Sequence, residues 1–349
     1  MTKKTRIFLL VAGAVLLVGL GTGLVASYMG LPAFAVVGSE GPAELKLIPP
    51  DARVVAYANV RDVMNSELRQ KVRHLRPDNP QHGNFEAETG IRIEDDIDTV
   101  VASMGMADNH AEHALVIARG RFDEVRIEGL IRERGGQVTQ YNGKRLLTHR
   151  GAPNPNATHD DMALAFVEPG LVALGSAPAV REAIDRMKGG RNITDNTEVM
   201  GLIRGIDDGN AWAVGRFDAL ASRAKLPAEV TKRLPPINWF AASGHVNGGV
   251  RGTVRAEAHD EAAAQNLRDV VRGFVALAKL QLNATPELST LVNSLEIGGQ
   301  GKTVSLAFSV PSDVIDLIGA ATQRNSATPD VPPAPPAPPA PRAPRQRPF

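Results

Sequence analysis

The stretch VVAYANVRD, residues 54–62, sets the pattern for the rest of the chain. Its apolar, largely β-branched residues follow the turn-forming residues 49–51, Pro-Pro-Asp, and this combination predicts a strand. Asp62 can then cap the N-terminus of a helix that runs to about Leu75. The folded part of the chain therefore opens with a strand and an amphipathic helix.

A second stretch, AWAVGRFD at residues 211–218, repeats this pattern. In both stretches an aromatic residue stands between two alanines in a predicted strand, and arginine and aspartate follow. Tyr57 and Trp212 hold the equivalent aromatic positions. The elements that follow come in the order strand, helix, hairpin, helix, hairpin, helix in each half, which we interpret as an ancient duplication. The two aromatic side chains should then point to equivalent sides of their sheets.

Turn residues mark the other elements. Asn142-Gly143 favours a type I′ turn and predicts a hairpin between strands at 138–141 and 145–148. Pro178 opens a helix that Gly189-Gly190 ends. The other predicted elements are strands at 99–104, 114–118, 162–167, 171–174, 250–258, 294–297 and 303–310, and helices at 122–134, at 260–280 and from 311. This order predicts the α+β class, with largely antiparallel sheets, helices on one face and two related halves.

The N-terminus predicts a transmembrane helix. Lys3, Lys4 and Arg6 precede an uncharged stretch at residues 7–37, of which residues 7–31 are the most apolar part. About 20 apolar helical residues are enough to cross a bilayer. Basic residues on the N-terminal side place the N-terminus in the cytoplasm and the body outside it. We therefore expect a single-pass protein of the inner or plasma membrane that contacts the lipid bilayer through this helix.

The alternative for the same stretch is a cleaved signal peptide. Ala33-Phe34-Ala35 fits the small-x-small pattern that precedes a cleavage site, so cleavage would follow Ala35. A cleavable apolar region usually spans about 7–15 residues, and this one is longer, which favours the anchor. In both interpretations the body lies outside the cytoplasm.

The sequence divides into six predicted segments. These are a cytoplasmic stub and anchor (1–37), a linker (38–46), a first α+β half (47–190), a boundary segment (191–209), a second α+β half (210–324) and a Pro-rich disordered tail (325–349). Repeated Pro-Pro-Ala in the tail favours extended polyproline II. The tail is either a solvated spacer or a docking strip that reaches toward the cell wall.

Composition excludes several kinds of function. The chain has a net charge of +1, and the basic residues of the anchor and the tail account for more than that, so the body is mildly acidic. An acidic body argues against nucleic-acid binding, which needs a basic surface. The chain has no cysteine, which excludes disulfides and cysteine catalysis.

Ile48-Pro49-Pro50-Asp51-Ala52, followed by a strand, resembles the opening of a group of uncharacterised bacterial membrane-anchored proteins that begin Leu-Pro-x-Asp-Ala. The resemblance covers about a dozen residues, with isoleucine in place of the leucine and a Pro-Pro pair at the proline. It implies a soluble α+β body just after a membrane segment. It implies no activity and assigns no functional residue.

One pair of residues suggests an envelope hydrolase. Ser222 and Lys225 have the Ser-x-x-Lys spacing of penicillin-binding proteins and β-lactamases, in which the lysine amine can accept the serine proton. Lys302-Thr303 lies on a predicted strand, but Val304 stands where that family has glycine. A solvated helix face explains the pair equally well.

Four further patterns have a functional and a plain structural interpretation. His110, Glu112 and His113 could bind zinc if His74, His82 or His159 came near in space, but the sequence indicates no further ligand and exposed loop residues are the plain interpretation. The segment 94–98 suggests calcium but lacks the alternating ligands of a known loop. Residues 298–303 resemble a phosphate-binding loop but join two predicted strands. The long loop at 151–161 is the best sequence-based choice for a contact surface.

These observations predict a non-catalytic, extracytoplasmic binding or scaffolding module of the cell envelope. Its partner would be an envelope protein or a cell-wall polymer, and no cofactor is indicated. The alternative is an envelope hydrolase that uses Ser222 and Lys225 or a metal site at His110.

Overall fold

The computed structural model describes residues 41–73, 90–106, 112–149, 162–206, 209–221, 234–282 and 293–312. The twelve strands in these residues form one continuous sheet in which every pair of neighbours is antiparallel. The α+β class and the antiparallel pairing are therefore confirmed. The two halves share this one sheet.

The strands are numbered in chain order. They are β1 (Val54–Ala58), β2 (Ile97–Met106), β3 (Glu112–Gly120), β4 (Gln137–Tyr141), β5 (Lys144–His149), β6 (Met162–Glu168), β7 (Leu171–Ser176), β8 (Ala211–Arg216), β9 (Ile237–Val246), β10 (Gly249–Ala258), β11 (Glu296–Gly298) and β12 (Thr303–Pro311). Their order across the sheet is β11-β12-β10-β9-β8-β1-β2-β3-β7-β6-β5-β4.

The described helices connect or follow these strands. They are α1 (Val60–Met64), α2 (Glu67–Arg73), α3 (Ile93–Asp96), α4 (Glu124–Glu133), α5 (Ala177–Arg186), α6 (Thr197–Arg204), α7 (Phe217–Ala221) and α8 (Glu261–Leu282), with two 3-10 helices at Ala43–Leu47 and Ile193–Asp195.

Helices cover both faces of the sheet, so the prediction of helices on one face is wrong. We call the face that carries Tyr57 and Trp212 the aromatic face and the other the reverse face. The aromatic face packs against the two 3-10 helices, α5 and α6, in the largest core cluster. The reverse face packs against α1, α4, α7 and α8. The physical reason is that central strands such as β7 and β8 are buried along nearly their whole length, so both of their faces need a cover.

The centre of the sheet is the pairing of β1 with β8. Tyr57 lies directly opposite Trp212, with the ring centroids 5.6 Å apart, and both side chains are on the aromatic face. The strand order is the same on both sides of this pairing. The central strand, β1 or β8, is followed by the two strands of a hairpin, β2–β3 or β9–β10, and then by the second strand of a later hairpin, β7 or β12. The first half adds one further hairpin, β4–β5, at its edge. The common origin of the halves remains a prediction.

Two predicted segments, the linker and the boundary segment, contribute side chains to the core. The predicted linker, residues 38–46, includes most of the first 3-10 helix, whose Leu45 is fully buried in the aromatic-face core. The predicted boundary segment, residues 191–209, forms the second 3-10 helix and α6, and Val199 and Ile203 of α6 pack into the same core. Apolar residues at helical spacing decide this packing, and the flanking glycines do not interrupt it.

Of two predictions made from turn and capping residues, one is confirmed and one is wrong. Asn142 and Gly143 have positive φ angles of 48° and 82°, so the type I′ hairpin is confirmed. The first helix is capped by Asn59, whose side chain accepts from the Asp62 N–H, and it ends at Met64. The prediction that Asp62 caps a helix running to Leu75 is therefore wrong.

Among the described residues, none of the helices combines the length and the apolar character needed to cross a bilayer. The predicted anchor at residues 1–37 and the predicted tail at 325–349 lie outside these residues. Both remain predictions.

The first prediction concerns Asn210, a buried residue just before β8. Its side chain imitates a strand backbone: Nδ2 donates to the Val246 carbonyl at 2.9 Å, and Oδ1 accepts from the Val246 N–H at 2.5 Å. Asn210→Ala leaves this buried donor and acceptor without partners, so the free energy of unfolding should fall by about 2–3 kcal/mol in urea denaturation. Asn266→Ala, at an exposed position of α8, is the matched control and should change it by less than about 0.5 kcal/mol.

Candidate functional site

The aromatic face changes character between the two halves. In the first half, Leu115 and Ile117 on β3 and Ala173 on β7 are completely or almost completely buried in the core beneath α5. In the second half, β10 and β12 hold the same third and fourth places from the centre, but they carry mostly polar side chains on this face. These are Arg251, Thr253, Arg255 and Glu257 on β10, and Thr303, Ser305 and Ser309 on β12. We call these seven residues the open strip.

The open strip is accessible to solvent and rich in hydrogen-bonding groups. All seven residues are half-buried or exposed. Hydroxyl groups can donate and accept, guanidinium groups donate, and the carboxylate of Glu257 accepts. The strip spans seven residues along each strand, about 20 Å from the first Cα to the last at the rise of an antiparallel strand. A rigid sheet therefore presents a long row of polar groups.

A small cavity lies where α6 ends beside the strip. It has a volume of about 170 Å³ and is lined by Gly201, Leu202 and Gly205 on one side and by Trp239, Arg255 and Glu257 on the other. Sites that enclose a whole small molecule usually measure about 300–1,000 Å³. This cavity is suited to a single side chain or ring of a larger ligand.

The backbone of α6 shapes this cavity. A Cβ atom added at Gly201 would meet no other atom within 4 Å, so the glycine leaves open space there. Arg255 lines the other wall and donates from Nη1 to the Gly205 carbonyl, just after the last turn of α6. This contact fixes the guanidinium beside the cavity.

A charged cluster borders the cavity next to Trp239. The carboxylate of Asp218 accepts from Arg53 Nη2 at 2.5 Å and from Arg216 Nε at 3.3 Å. The Arg216 guanidinium lies over the Trp239 ring, 5.6 Å from its centroid. Desolvation raises the pKa of Asp218, but the two guanidinium groups and the Ala219 N–H outweigh it and hold the pKa below its ordinary value. Asp218 thus stays ionised at neutral pH and holds Arg216 over the indole.

The structure brings together none of the sequence-predicted catalytic or metal residues that it describes. Ser222, Lys225 and His110 lie outside the described residues. Glu112 and His113 begin β3, where His113 is half-buried opposite Gly105. Within the described part of the chain, no three His, Cys, Asp or Glu residues are grouped so that they could hold a metal ion.

The acidic segment at 94–98 is engaged with arginines. Asp95, Asp96 and Asp98 form ion pairs with Arg92, Arg121 and Arg61, respectively. Asp96 also accepts from the Arg92 backbone N–H at 2.9 Å. These contacts join α3 and the start of β2 to neighbouring arginines, and they occupy the carboxylates that suggested a calcium site.

The glycine-rich segment at 298–303 is a hairpin turn between β11 and β12. Gly299 and Gly301 have positive φ angles of 98° and 55°. Arg268 of α8 donates to the carbonyls of Gly301 and Thr303 at 2.8 and 3.0 Å. The structural interpretation of this turn is therefore correct. The loop at 151–161, predicted as a contact surface, lies outside the described residues.

The sequence also carries a signal for the open strip. Polar and apolar residues alternate strictly along residues 251–258, RGTVRAEA, if glycine is counted with the apolar residues, and residues 303–310, TVSLAFSV, alternate almost as regularly. Such alternation predicts strands with one polar face. The position of Trp239 and α6 beside that face could not be read from it, because both depend on how distant elements pack.

No protein-family model matches the chain, and none of the curated proteins matches it at a significant level. A solved structure titled "Structure of crystal form I of TP0453" aligns with 81% of this chain and 99% of its own, with a TM-score of 0.42 and 8% sequence identity. Similarity at this level supports no conclusion about this chain.

The second prediction concerns Asp218. Because its pKa is lower in the folded state, its stabilising effect is present above the pKa of the unfolded state and is lost as the pH falls through the folded value. Asp218→Asn should therefore destabilise the protein at pH 7, and the difference from the wild type should shrink as the pH falls below about 4. Urea denaturation between pH 3 and 7 measures this.

Asp269→Asn is the control for this experiment, since it removes an exposed ion pair with Arg272 on α8. It should change the free energy of unfolding by less than about 0.5 kcal/mol at pH 7. A destabilisation by Asp218→Asn that stays constant or grows toward pH 3 would show that the charge cluster does not act as described.

Proposed function

We propose that the protein is a non-catalytic binding module of the cell envelope, anchored in the inner or plasma membrane and binding its partner through the open strip. The anchor and the extracytoplasmic position rest on residues 1–37, where basic residues precede a long apolar stretch. The binding surface rests on the described part of the chain.

A single observation carries this proposal: equivalent strand positions are apolar and covered in one half, and polar and open in the other. In the first half a helix covers the apolar side chains of Leu115, Ile117 and Ala173. The corresponding surface of the second half carries the polar side chains of Thr253, Arg255 and Ser305, which are not suited to such a cover. A polar surface on a rigid sheet keeps its groups positioned and leaves them hydrated until a partner replaces the water. Binding is the activity that this difference between the halves favours.

The chemistry of the strip suits a polar, extended partner. Two arginines, four hydroxyl groups and one carboxylate lie along two neighbouring strands. The cavity beside Trp239 adds one place for a single apolar group. An extended segment of an envelope protein or a cell-wall polymer, with polar groups along its length and a small apolar group at one point, matches this arrangement.

The duplication supports the same proposal. If the halves share an ancestor, the aromatic face of the first half has a structural role beneath a helix, and the aromatic face of the second half has diverged for binding. The support is the matching strand order on both sides of β1 and β8, together with the direct pairing of Tyr57 and Trp212. Tyr57 and Trp212 are also the residues that the two sequence stretches place at equivalent positions.

The third prediction locates the partner on the strip. A photo-crosslinking amino acid at Ser305, in the full-length chain in native membranes, should form an adduct on irradiation, because this residue lies in the open strip. The same amino acid at Asn266, exposed on α8 at the reverse face, should form none. Excess unlabelled full-length protein should reduce the Ser305 adduct by competition.

Variants at Gly201 test the cavity in the same assay. Gly201→Phe adds a large ring to the wall of the cavity. If the ring keeps one apolar group of the partner out of the cavity, a loss of about 1.5–3 kcal/mol should reduce the adduct about tenfold or more. Gly201→Ala is the matched control, because a methyl group fits without contact and favours the helix. Equal adducts from Ser305 and Asn266, or none from Ser305, would contradict binding through the strip.

A further inference from the structure

The two ends of the sheet differ in how they are protected. β11 is only three residues long and carries Glu296, and short, charged edge strands resist pairing with other chains. β4, at the other end, is the five-residue strand QVTQY. It contains no charged residue, proline or glycine. β4 therefore lacks the features with which proteins usually protect an edge.

The backbone of β4 presents free hydrogen-bonding groups on its outer side. In a two-residue hairpin the residues that flank the turn, here Tyr141 and Lys144, exchange backbone hydrogen bonds, and inward and outward residues then alternate. Thr139 therefore faces β5, while the N–H and C=O groups of Val138 and Gln140 point outward. β4 is the last strand of the sheet, and none of the described residues pairs with this outer side.

Side chains hold this edge in place. Tyr141 donates from its hydroxyl to Asp185 Oδ2 on α5 at 2.8 Å, and Asn142 Nδ2 donates to Asp185 Oδ1 at 2.5 Å. The Arg181 guanidinium lies over the Tyr141 ring at 5.9 Å from its centroid. Because the hairpin is tied to α5, little conformational freedom remains for the strand to lose on pairing.

We infer that β4 pairs in antiparallel fashion with β4 of a second copy of this chain, about a twofold axis through Thr139. In this register each Thr139 lies opposite the other, and Val138 lies opposite Gln140. The outward groups of Val138 and Gln140 then form four backbone hydrogen bonds between the copies. Gln137 lies opposite Tyr141 at each end, so all five residues of both strands are paired.

The sequence of β4 favours a second copy over an unrelated strand. Every cross-strand pair in the symmetric register is uncharged, so no like charges meet, and a Thr–Thr pair at the centre is a favourable contact. Gln137, Thr139 and Gln140 are exposed, so both faces of the joined sheet have room at the junction. The pairing uses the opposite end of the sheet from the open strip and does not depend on it.

Single-cysteine variants test both the pairing and its register, because the natural chain has no cysteine. In the proposed register the two Thr139 residues form a pair without backbone hydrogen bonds between them, whose Cα atoms are about 4.5 Å apart. That separation permits a disulfide. Thr139→Cys in the full-length chain, purified in detergent, should form disulfide-linked dimers on mild oxidation with copper–phenanthroline.

Gln137→Cys is the matched control, since it is an exposed residue on the same face of the same strand. Its two copies would be separated by four residues along the strands, about 13 Å, which is too far for a disulfide. Cross-linking of Thr139→Cys alone supports the pairing. Equal cross-linking of both variants shows random collision, and no cross-linking of Thr139→Cys shows that the edges do not meet; either result overturns the proposal.

A charge exchange gives a second test that needs no oxidation. Thr139→Lys and Thr139→Glu each place like charges opposite one another. In analytical ultracentrifugation the wild type should form a concentration-dependent dimer, and each variant alone should lose it. An equal mixture of the two variants should recover it. A wild-type chain that stays monomeric, or a Thr139→Lys variant that dimerises as the wild type does, would overturn the proposal.

Discussion

The pairing of β1 with β8 holds the described structure together, because it is the one strand contact that joins the two halves into a single sheet. At its centre, Tyr57 and Trp212 lie side by side and are almost fully buried. Burial, with smaller effects from the Glu44 and Asp62 carboxylates, raises the pKa of Tyr57 to about 12, so its phenol stays neutral at physiological pH. The aromatic pair therefore belongs to a continuous apolar core beneath the 3-10 helices, α5 and α6.

Much of the fold could be predicted from local signals. Turn residues such as Asn142-Gly143 determine their own backbone geometry, and they located the hairpins correctly. Helices on both faces were missed although the apolar runs of β7 and β8 do not alternate, and such runs are typical of strands that are buried on both faces. The roles of residues 43–47 and 191–209 were missed for a different reason. Leu45 and Ile203 become core residues only when the sheet that they cover is in place.

Less of the candidate site could be predicted. Catalytic and metal-binding spacing in the sequence indicates Ser222, Lys225, His110, Glu112 and His113. Of these, only Glu112 and His113 lie in the described part of the chain, which contains no group of three residues suited to hold a metal ion. The open strip depends on alternation, which the sequence does show. Its significance depends on a comparison between distant strands, since Thr253 and Arg255 stand out only when set against Leu115 and Ile117. Such a comparison needs the order of strands in the sheet.

Hydrogen exchange at β1 and β8 tests most directly whether the two halves form one cooperative structure. If they do, the amides of Val54–Ala58 and Ala211–Arg216 should be among the slowest to exchange, and their opening free energy should equal that of global unfolding measured in urea. Faster exchange at both strands, through an opening that leaves β3, β7, β10 and β12 protected, would contradict this. It would mean that the halves are separate folding units and that the central pairing does not hold the sheet together.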